Sequence, residues 1–243
     1  MSEGLHCGDC IELMANIENE SIDMIICDLP YGTTANEWDI VIPYNLLWDQ
    51  YNRIIKNNGA IVLTGMGMFS AMLMTSNIKM YRYSLIWEKS KTVGFLNANR
   101  MPLRCHEDIL VFYKALPTFN PQKTPGKPYK HLESKKHSTN YNKVDRVKTI
   151  NTTGERNPTS VIKISNEINT FHPTQKPVAL IEYLIKTYSN EGDTILDNCM
   201  GSGTAGVASK NLNRKFIGIE KNPEYYNEAV KRIIYSPNLL FAS

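Results

Sequence analysis

Apolar and polar positions along the chain follow two alternating periods. Short apolar runs suited to buried strands alternate with segments in which apolar residues recur every three or four positions, as on one face of a helix. The runs predict strands at residues 24–27, 60–64, 83–88, 109–113, 194–196 and 216–219. The longer period predicts helices at residues 46–56, 68–77, 203–212 and 223–234, and one that starts near Pro177. Strands alternating with helices indicate an α/β fold built on a doubly wound, mostly parallel sheet.

Residues 115–170 interrupt this alternation. They are rich in Pro, Gly, Lys, Asn and Thr and show little periodicity. A structureless stretch of this length inside a compact domain is uncommon and is usually either functional or disordered. We therefore interpret residues 1–114 and 171–243 as two halves of one core, and residues 115–170 as an insertion.

The distribution of charge changes this picture more than the total does. The 243 residues are 42% apolar, which is enough for one large core, and the net charge is only +3. Residues 89–150, however, carry 13 Lys and Arg against 4 Asp and Glu, a local charge of +9 that leaves −6 elsewhere. This basic segment indicates a surface for a polyanion such as a nucleic acid, the alternative being a solvated basic loop without a partner.

Cysteine usage and hydropathy limit the cellular setting. The five cysteines are an odd number, and the close pair Cys7 and Cys10 has no second pair at zinc-binding spacing. No apolar run approaches the roughly 20 residues of a membrane span, and the N-terminus lacks the basic and apolar segments of a secretion signal. We expect a soluble, cytoplasmic protein with reduced thiols and no metal or membrane partner.

The first candidate for chemistry is the tetrapeptide 28–31, which follows the predicted strand 24–27. Asp28 supplies a carboxylate, Pro30 a rigid turn and Tyr31 an aromatic ring at a strand's carboxyl end. The exocyclic amine of a nucleobase is a poor nucleophile until hydrogen bonds from its N–H groups localise the lone pair. Asp28 can accept one such bond and the backbone carbonyl of Leu29 or Pro30 the other, while Tyr31 stacks on a flipped base. An ordinary turn after a strand is the alternative interpretation.

The second candidate is a glycine loop after the predicted strand 194–196. Gly201, Gly203 and Gly206 have the spacing G-x-G-x-x-G, and Glu220 ends the next strand. This arrangement is typical of a nucleoside site, where the acidic side chain accepts bonds from ribose hydroxyls. Asp197, just before the loop, would repel a pyrophosphate but attract an ammonium group. The loop therefore favours S-adenosylmethionine, and a dinucleotide-dependent oxidoreductase is the alternative.

With these two motifs in this order, the chain resembles the β-class amino-methyltransferases of bacterial and phage DNA. Further blocks of the family match in order at residues 8–10, 58–63, 85–89, 104–107 and 172–177. The resemblance implies site-specific methyl transfer from S-adenosylmethionine to an exocyclic amine in duplex DNA, by base flipping and direct attack, with S-adenosylhomocysteine as the product. It also implies a catalytic half (1–114), a target-recognition insertion (115–170) and a cofactor-binding half (171–243).

The resemblance also assigns residues to roles. The catalytic residues are Asp28, Leu29, Pro30 and Tyr31. The cofactor-binding set is Asp9, Cys10, Asp28, His172, Thr174, Gln175, Lys176, Asp197, Cys199, Gly201, Ser202, Gly203, Thr204, Glu220 and Lys221. Within it, residues 9–10 would lie near the adenine, Glu220 on the ribose and residues 172–176 at the methionine end, with Lys176 paired to the cofactor carboxylate. The basic segment and its flanks predict phosphate contacts from Lys89, Arg100, Arg104, Lys123, Lys127, Lys130, Lys135, Lys136, Lys143 and Arg146.

The chain departs from the family pattern at two motifs. Leu29 replaces the usual proline of the catalytic motif, and Asn198-Cys199 replaces the Pro-Phe of the cofactor motif. These departures motivate a third alternative, a DNA-binding module that keeps the fold without the activity. Aspartate at position 28 favours adenine N6 over cytosine N4 as the target. The sequence leaves the recognition site, a homodimer and a cognate restriction endonuclease open.

Overall fold

The computed structural model describes residues 3–34, 36, 39–131, 149–167 and 175–236. It separates residues 1–120 and 160–243 from a second compact unit, residues 121–159. The strands are β1 Gly4–Cys7, β2 Ile22–Cys27, β3 Ile55–Gly65, β4 Tyr81–Val93, β5 Arg104–Phe112, β6 Tyr129–His131, β7 Thr149–Asn151, β8 Val161–Lys163, β9 Thr194–Asp197 and β10 Lys215–Glu220. The α-helices are α1 Cys10–Met14, α2 Tyr44–Ile54, α3 Met68–Ser76, α4 Val178–Tyr188, α5 Thr204–Asn211 and α6 Pro223–Tyr235.

The first unit is built on one eight-stranded sheet with the order β1-β10-β9-β2-β3-β5-β4-β8. The first five strands of that order run parallel, β5 is antiparallel to both β3 and β4, and β8 is parallel to β4. In the second unit, β6 and β7 form an antiparallel pair. The predicted doubly wound, mostly parallel sheet is therefore confirmed.

Both faces of the sheet are covered, as the near-continuous apolar strands require. Along β2, Ile25 and Cys27 enter a core on one face, whereas Met24 and Ile26 enter a core on the other. Helices α1, α2 and α3 contribute to the first core, and α4, α5 and α6 contribute to the second. Since successive side chains on a strand point to opposite faces, β2 is fixed from both sides.

The structure corrects one predicted boundary and adds elements. The helix predicted over residues 46–56 ends at Ile54, because Ile55 is extended, fully buried and paired with Ile22 of β2. The next strand therefore includes residues 57–59, which lie between the predicted helix 46–56 and the predicted strand 60–64. Gly59 is needed there for close approach, since a Cβ would lie 2.8 Å from the Asp23 carbonyl oxygen. Strands β1 and β8 and helix α1 were not predicted, and the second unit lies inside the stretch 115–170.

The arrangement of β2 and β9 creates the crevice in which ligands bind in folds of this kind. These strands are parallel neighbours, but β2 leads through α2 to β3 on one side and β9 leads through α5 to β10 on the other. Ligands of doubly wound sheets bind outside the carboxyl ends of the strands, at this change of direction. Asp28 follows β2 and Asp197 ends β9, so both acidic residues flank the crevice.

Candidate active site

The Asp28 carboxylate is held by donors from three parts of the chain. Its Oδ1 accepts hydrogen bonds from the Tyr31 hydroxyl, at 3.0 Å, and from the Thr64 hydroxyl at the end of β3. Its Oδ2 accepts from the Lys176 ammonium at 2.5 Å. The Asp28 side chain is 28% exposed, so it is fixed in position and still open to solvent.

Behind Asp28 lies a row of alternating charges that we call the charge row: Asp28, Lys176, Glu107 and Lys89. Lys176 Nζ lies 3.2 Å from Glu107 Oε2, and the Lys89 ammonium donates to Glu107 Oε1. The side chains of Lys176, Glu107 and Lys89 are only 9–11% exposed. Burial alone lowers the pKa of Lys176, but the carboxylates of Asp28 and Glu107 outweigh it and raise that pKa above the ordinary value. Lys176 is therefore a buried, paired cation.

Tyr31 lies inside the site. Its ring stacks on Phe69 of α3, with centroids 4.5 Å apart and planes inclined by 24°. Burial, together with the nearby charges of Asp28 and Glu107, raises its pKa well above the ordinary value, so the hydroxyl remains a donor. The turn after Tyr31 is held by Asp39, whose carboxylate accepts from the backbone N–H groups of residues 32–34 at 2.7–2.8 Å.

Leu29 has a structural role that proline would not fill in the same way. Its side chain is 4% exposed and packs in the core under α2 and α3. Pro30 is half-buried beside it. The leucine side chain therefore anchors the turn at residues 28–31 to the core, and Leu29 and Pro30 both keep a backbone carbonyl for hydrogen bonding.

Asp197 is the second acidic residue of the crevice. It is 7% exposed, and its Oδ1 accepts from the Cys199 backbone N–H at 3.1 Å. Burial raises its pKa to about 7 despite that bond and a contact with the Cys27 thiol. No Lys, Arg or His among the described residues forms a salt bridge with it. A buried carboxylate without a cation is well suited to receive one from a ligand.

The glycine loop connects Asp197 to α5 and is tied to β10. Gly201 donates its N–H to Glu220 Oε2 at 2.9 Å, and the Asn222 N–H donates to Glu220 Oε1 at 2.8 Å. Burial raises the pKa of Glu220, although these bonds oppose the change. Gly203 has a φ of +72°, in the left-handed region that favours glycine. Glu220 thus fixes the glycine loop against the carboxyl end of β10.

Other members of the predicted cofactor set meet at the same edge. Asp9 caps α1 by accepting from the Ile11 N–H at 3.0 Å and pairs with Lys221 at 3.1 Å. Cys10 is buried and contacts Cys199, so sulfur atoms occupy the place where the family pattern has a phenylalanine. Ser202 and Thr204 are buried, and the hydroxyls of both accept from Arg232. They therefore stabilise the start of α5.

The remaining predicted residues are more scattered. Gln175 donates to Glu167, while His172 and Thr174 lie outside the described residues. Arg100 and Arg104 are exposed in the first unit, and Lys123, Lys127 and Lys130 are exposed in the second. Lys135, Lys136, Lys143 and Arg146 also lie outside the described residues. Lys89, predicted as a phosphate contact, is instead a member of the charge row.

Sequence reasoning gave no role to several residues that complete the site. Thr64 reaches Asp28 from β3, and Glu107 reaches Lys176 from β5. Phe69 stacks on Tyr31, and Asn198 accepts a hydrogen bond from the Tyr51 hydroxyl at 2.5 Å. The one signal available was polarity: Thr64 and Glu107 are polar residues at the ends of apolar strand runs. Among the described residues no cluster of His, Cys, Asp and Glu could hold a metal ion, and no helix has the length and hydropathy to cross a membrane.

The chain has the fold of S-adenosylmethionine-dependent methyltransferases. Its sheet is doubly wound, acidic residues lie at both strand ends of the crevice, and a glycine loop leads into a helix. Residues 22–231 match the family model of the DNA methylases that includes N6 and N4 amino-methyltransferases. The chain belongs to this family of DNA amino-methyltransferases, and this membership excludes the oxidoreductase alternative.

Individual proteins agree with the family assignment. The chain is 32% identical over 255 aligned residues to the Type II methyltransferase M.HpaI of Haemophilus parainfluenzae, covering 96% of this chain and 74% of that one. Its structure resembles the M1.HpyAVI–SAM complex, with a TM-score of 0.63, 27% identity and coverage of 94% and 98% of the two chains. The cytosine-N4-specific PvuII DNA methyltransferase, at 17% identity and a TM-score of 0.69 over 98% and 88% of the chains, shares the fold.

Proposed function

We propose that the protein transfers a methyl group from S-adenosylmethionine to the N6 amine of adenine in duplex DNA. The observation that carries the proposal is the Asp28 carboxylate, which is fixed at the crevice and whose Oδ2 accepts a single hydrogen bond from the residues that the structure describes, so that it can also accept one from an amine. An aspartate at this position favours adenine, because serine is more common there in the β-class amino-methyltransferases that act on cytosine, the family that the sequence resembles.

The hydrogen bonds of Asp28 indicate which oxygen serves the amine. A carboxylate oxygen offers about two lone-pair sites. Oδ1 already accepts from Tyr31 and Thr64, whereas within the described part of the chain Oδ2 accepts from Lys176 alone. The amine N–H therefore binds Oδ2, and its second N–H binds the carbonyl of Leu29 or Pro30. As positive charge builds on the nitrogen, the Asp28 carboxylate stabilises it, and the methylated nitrogen then releases one N–H proton to water, to which the site at Asp28 is open.

The opposite side of the crevice fits the cofactor by its chemistry. Asp197 provides a buried carboxylate for an ammonium group and Glu220 an acceptor for ribose hydroxyls, and the glycine loop starts between them at the carboxyl end of β9. When bound, S-adenosylmethionine supplies the methyl group on a cationic sulfur. In this assignment Asp9, Cys10 and Lys221 bind the adenine end, as the resemblance implies.

DNA contacts are assigned to basic and apolar side chains of both units. The connection between β4 and β5 extends beyond the carboxyl edge of the sheet, where Arg100 and Arg104 are exposed. Phe95 and Leu96 on this connection are 76% and 85% exposed, which is unusual for large apolar residues and favours contact with unstacked bases. We assign target recognition to the second unit, with phosphate contacts from Lys123, Lys127 and Lys130.

The test uses Asp28→Asn, which keeps the size of the side chain and removes its charge. The protein is incubated with unmethylated, randomised duplex DNA and methyl-labelled S-adenosylmethionine, and the DNA is digested and analysed as nucleosides by mass spectrometry. We expect N6-methyldeoxyadenosine, and a fall in kcat of about 10²-fold or more in the variant, comparable to loss of one preorganised electrostatic group.

Asp23→Asn serves as the matched control, because Asp23 lies near the opposite end of β2 and pairs with Lys56. It should retain the activity of the parent protein. N4-methyldeoxycytidine as the product would overturn the choice of base. DNA binding without any labelled nucleoside would favour the inactive DNA-binding module, and an active Asp28→Asn variant would contradict the role of Asp28.

A further inference from the structure

Three sequence blocks contribute to the charge row, which reaches the catalytic aspartate through Lys176. Lys89 belongs to the block 85–89 on β4, Glu107 to the block 104–107 on β5, and Lys176 to the block 172–177 before α4. These elements are far apart in sequence, and the antiparallel pairing of β4 and β5 brings the first two side chains together. The charge row that results ends on Oδ2 of Asp28, the oxygen assigned to the amine.

The burial of this row needs a physical reason. Taking an ammonium group out of water costs several kcal/mol, and pairing offsets that cost only when the geometry is good. Lys176 has carboxylate oxygens at 2.5 Å and 3.2 Å, and Glu107 is in turn neutralised by Lys89. An exposed Asp28 without the charge row would be enough to accept a hydrogen bond from the amine. The charge row must therefore serve another purpose, which is to set the position and the electrostatic surroundings of the Asp28 carboxylate.

We propose that Lys176 is a positioning residue that lies between the carboxylates of Asp28 and Glu107, neutralises their mutual repulsion and occupies one lone pair of Asp28 Oδ2, and that Glu107 and Lys89 hold Lys176 in place. The inference rests on the proposed function and differs from the role that the resemblance implies, in which Lys176 pairs with the cofactor carboxylate. Because Lys176 remains protonated, it acts by charge and position and takes no proton from the amine.

Removal of the ammonium predicts a specific change in the pH dependence. In Lys176→Met, the carboxylates of Asp28 and Glu107 lose the cation between them, and two such neighbours retain a shared proton to higher pH. The other groups that face them do not cancel this effect. Tyr31 and Cys27 stay neutral because burial raises both pKa values. Asp197 adds negative charge when ionised, and Lys89 forms its salt bridge with Glu107.

The experiment measures kcat, the KM for S-adenosylmethionine and their pH profiles for the parent and for Lys176→Met, Lys176→Arg and Lys176→Met/Glu107→Gln. We expect Lys176→Met to lower kcat at pH 7 at least tenfold and to move the acidic limb of its profile up by at least one pH unit. The KM should stay within threefold. Lys176→Arg restores the cation, and Glu107→Gln added to Lys176→Met removes the second carboxylate. Both changes should return the acidic limb of the kcat profile toward its position in the parent protein.

Lys56→Met is the matched control, because Lys56 also pairs with an aspartate of β2, at 2.6 Å, but near the other end of the strand. The proposal would be overturned if Lys176→Met leaves the acidic limb of the kcat profile in place and raises the KM for S-adenosylmethionine tenfold or more. Lys176 would then pair with the carboxylate of the cofactor. Parental kcat in that variant would also overturn it.

A second measurement does not depend on methyl transfer. The pH dependence of thermal unfolding is compared between Lys176→Met and Lys176→Met/Asp28→Asn. In Lys176→Met the carboxylates of Asp28 and Glu107 repel each other once both are ionised, so this variant should lose stability relative to Lys176→Met/Asp28→Asn as the pH rises from 5 to 8. Stability profiles that run parallel for the two variants would overturn the inference. If this difference is found but the parent transfers no methyl group to DNA, the proposed function fails and the positioning role fails with it, while the charge coupling stands.

Discussion

Asp197→Asn tests whether the crevice keeps a carboxylate poised for a cation. Asp197 is buried at the end of β9 and forms no salt bridge within the described residues, and its pKa is raised to about 7 from the ordinary 3.8. The folded protein therefore holds a proton on Asp197 between about pH 4 and pH 7 that the unfolded chain releases. Asparagine keeps the size of the side chain and cannot ionise.

The sign and the size of the effect follow from linkage. Because the folded state binds more protons in this range, the contribution of Asp197 to stability is fully present below pH 4 and is lost as the pH rises through 7. A difference of about three pH units corresponds to roughly 4 kcal/mol at about 1.4 kcal/mol per unit. Relative to the parent, Asp197→Asn should therefore gain up to about 4 kcal/mol of unfolding free energy between pH 4 and pH 8.

The assay is urea unfolding of both proteins at half-unit steps from pH 4 to pH 8, without cofactor. The difference in unfolding free energy should be near zero at pH 4 and should rise toward pH 8. A difference that stays constant with pH would refute the reasoning, since Asp197 would then be ionised or protonated equally in the folded and unfolded states.

The same residue predicts proton release on binding. With a pKa of about 7, Asp197 is about half protonated at pH 7. An ammonium ligand would stabilise the carboxylate, so titration calorimetry in buffers of different ionisation enthalpy should show release of about half a proton per S-adenosylmethionine bound. Asp197→Asn should release less and bind more weakly. Equal proton release would place the ammonium group elsewhere.

Two further changes test the turn after Tyr31 and the packing of β10. Asp39→Ala removes the acceptor of three backbone N–H groups and should cost about 1–3 kcal/mol of stability at pH 7. These bonds lower the pKa of Asp39, although burial opposes the change. The stability lost in Asp39→Ala, measured by unfolding, should therefore diminish as the pH falls below 4. A loss at pH 3 equal to that at pH 7 would contradict this role of Asp39. Gly218→Ala would place a Cβ 2.5 Å from Met200 Sδ and 2.6 Å from Phe216 Cε1, so melting should reveal a loss of about 1–3 kcal/mol, and an unchanged melting temperature would contradict the packing.

Sequence reasoning located the two acidic strand ends because each follows an apolar run directly, so local order alone places them at the sheet edge. It could not show that Thr64 meets Asp28, or that Glu107 and Lys89 lie in the charge row behind it. Those contacts depend on the register between β3, β5 and β4, for example Thr64 opposite Ile109 and Trp87 opposite Glu107, which local patterns do not encode.

The end of α2 shows the same limit on a smaller scale. Residues 57–59 have the composition of a turn, but Ile55 pairs with Ile22 and starts the strand earlier. Tertiary pairing outweighed local propensity there. Strand β1 was missed because Gly4–Cys7 is short and only partly apolar, and its pairing with β10 involves residues more than 200 positions away.

The catalytic motif spans a gradient of local stability. Asp28 continues from β2, the strand anchored in both cores, where opening requires disruption of the whole fold and amide exchange should be slowest. Tyr31, three residues later, leads into a turn whose order depends on the single carboxylate of Asp39. The proposed amine acceptor therefore follows the most stable part of the motif, while Tyr31 connects it to the less stable part, because the Tyr31 hydroxyl donates to Asp28 Oδ1. An opening of the turn that displaces Tyr31 to admit a base would thus also remove one of the hydrogen bonds that hold Asp28.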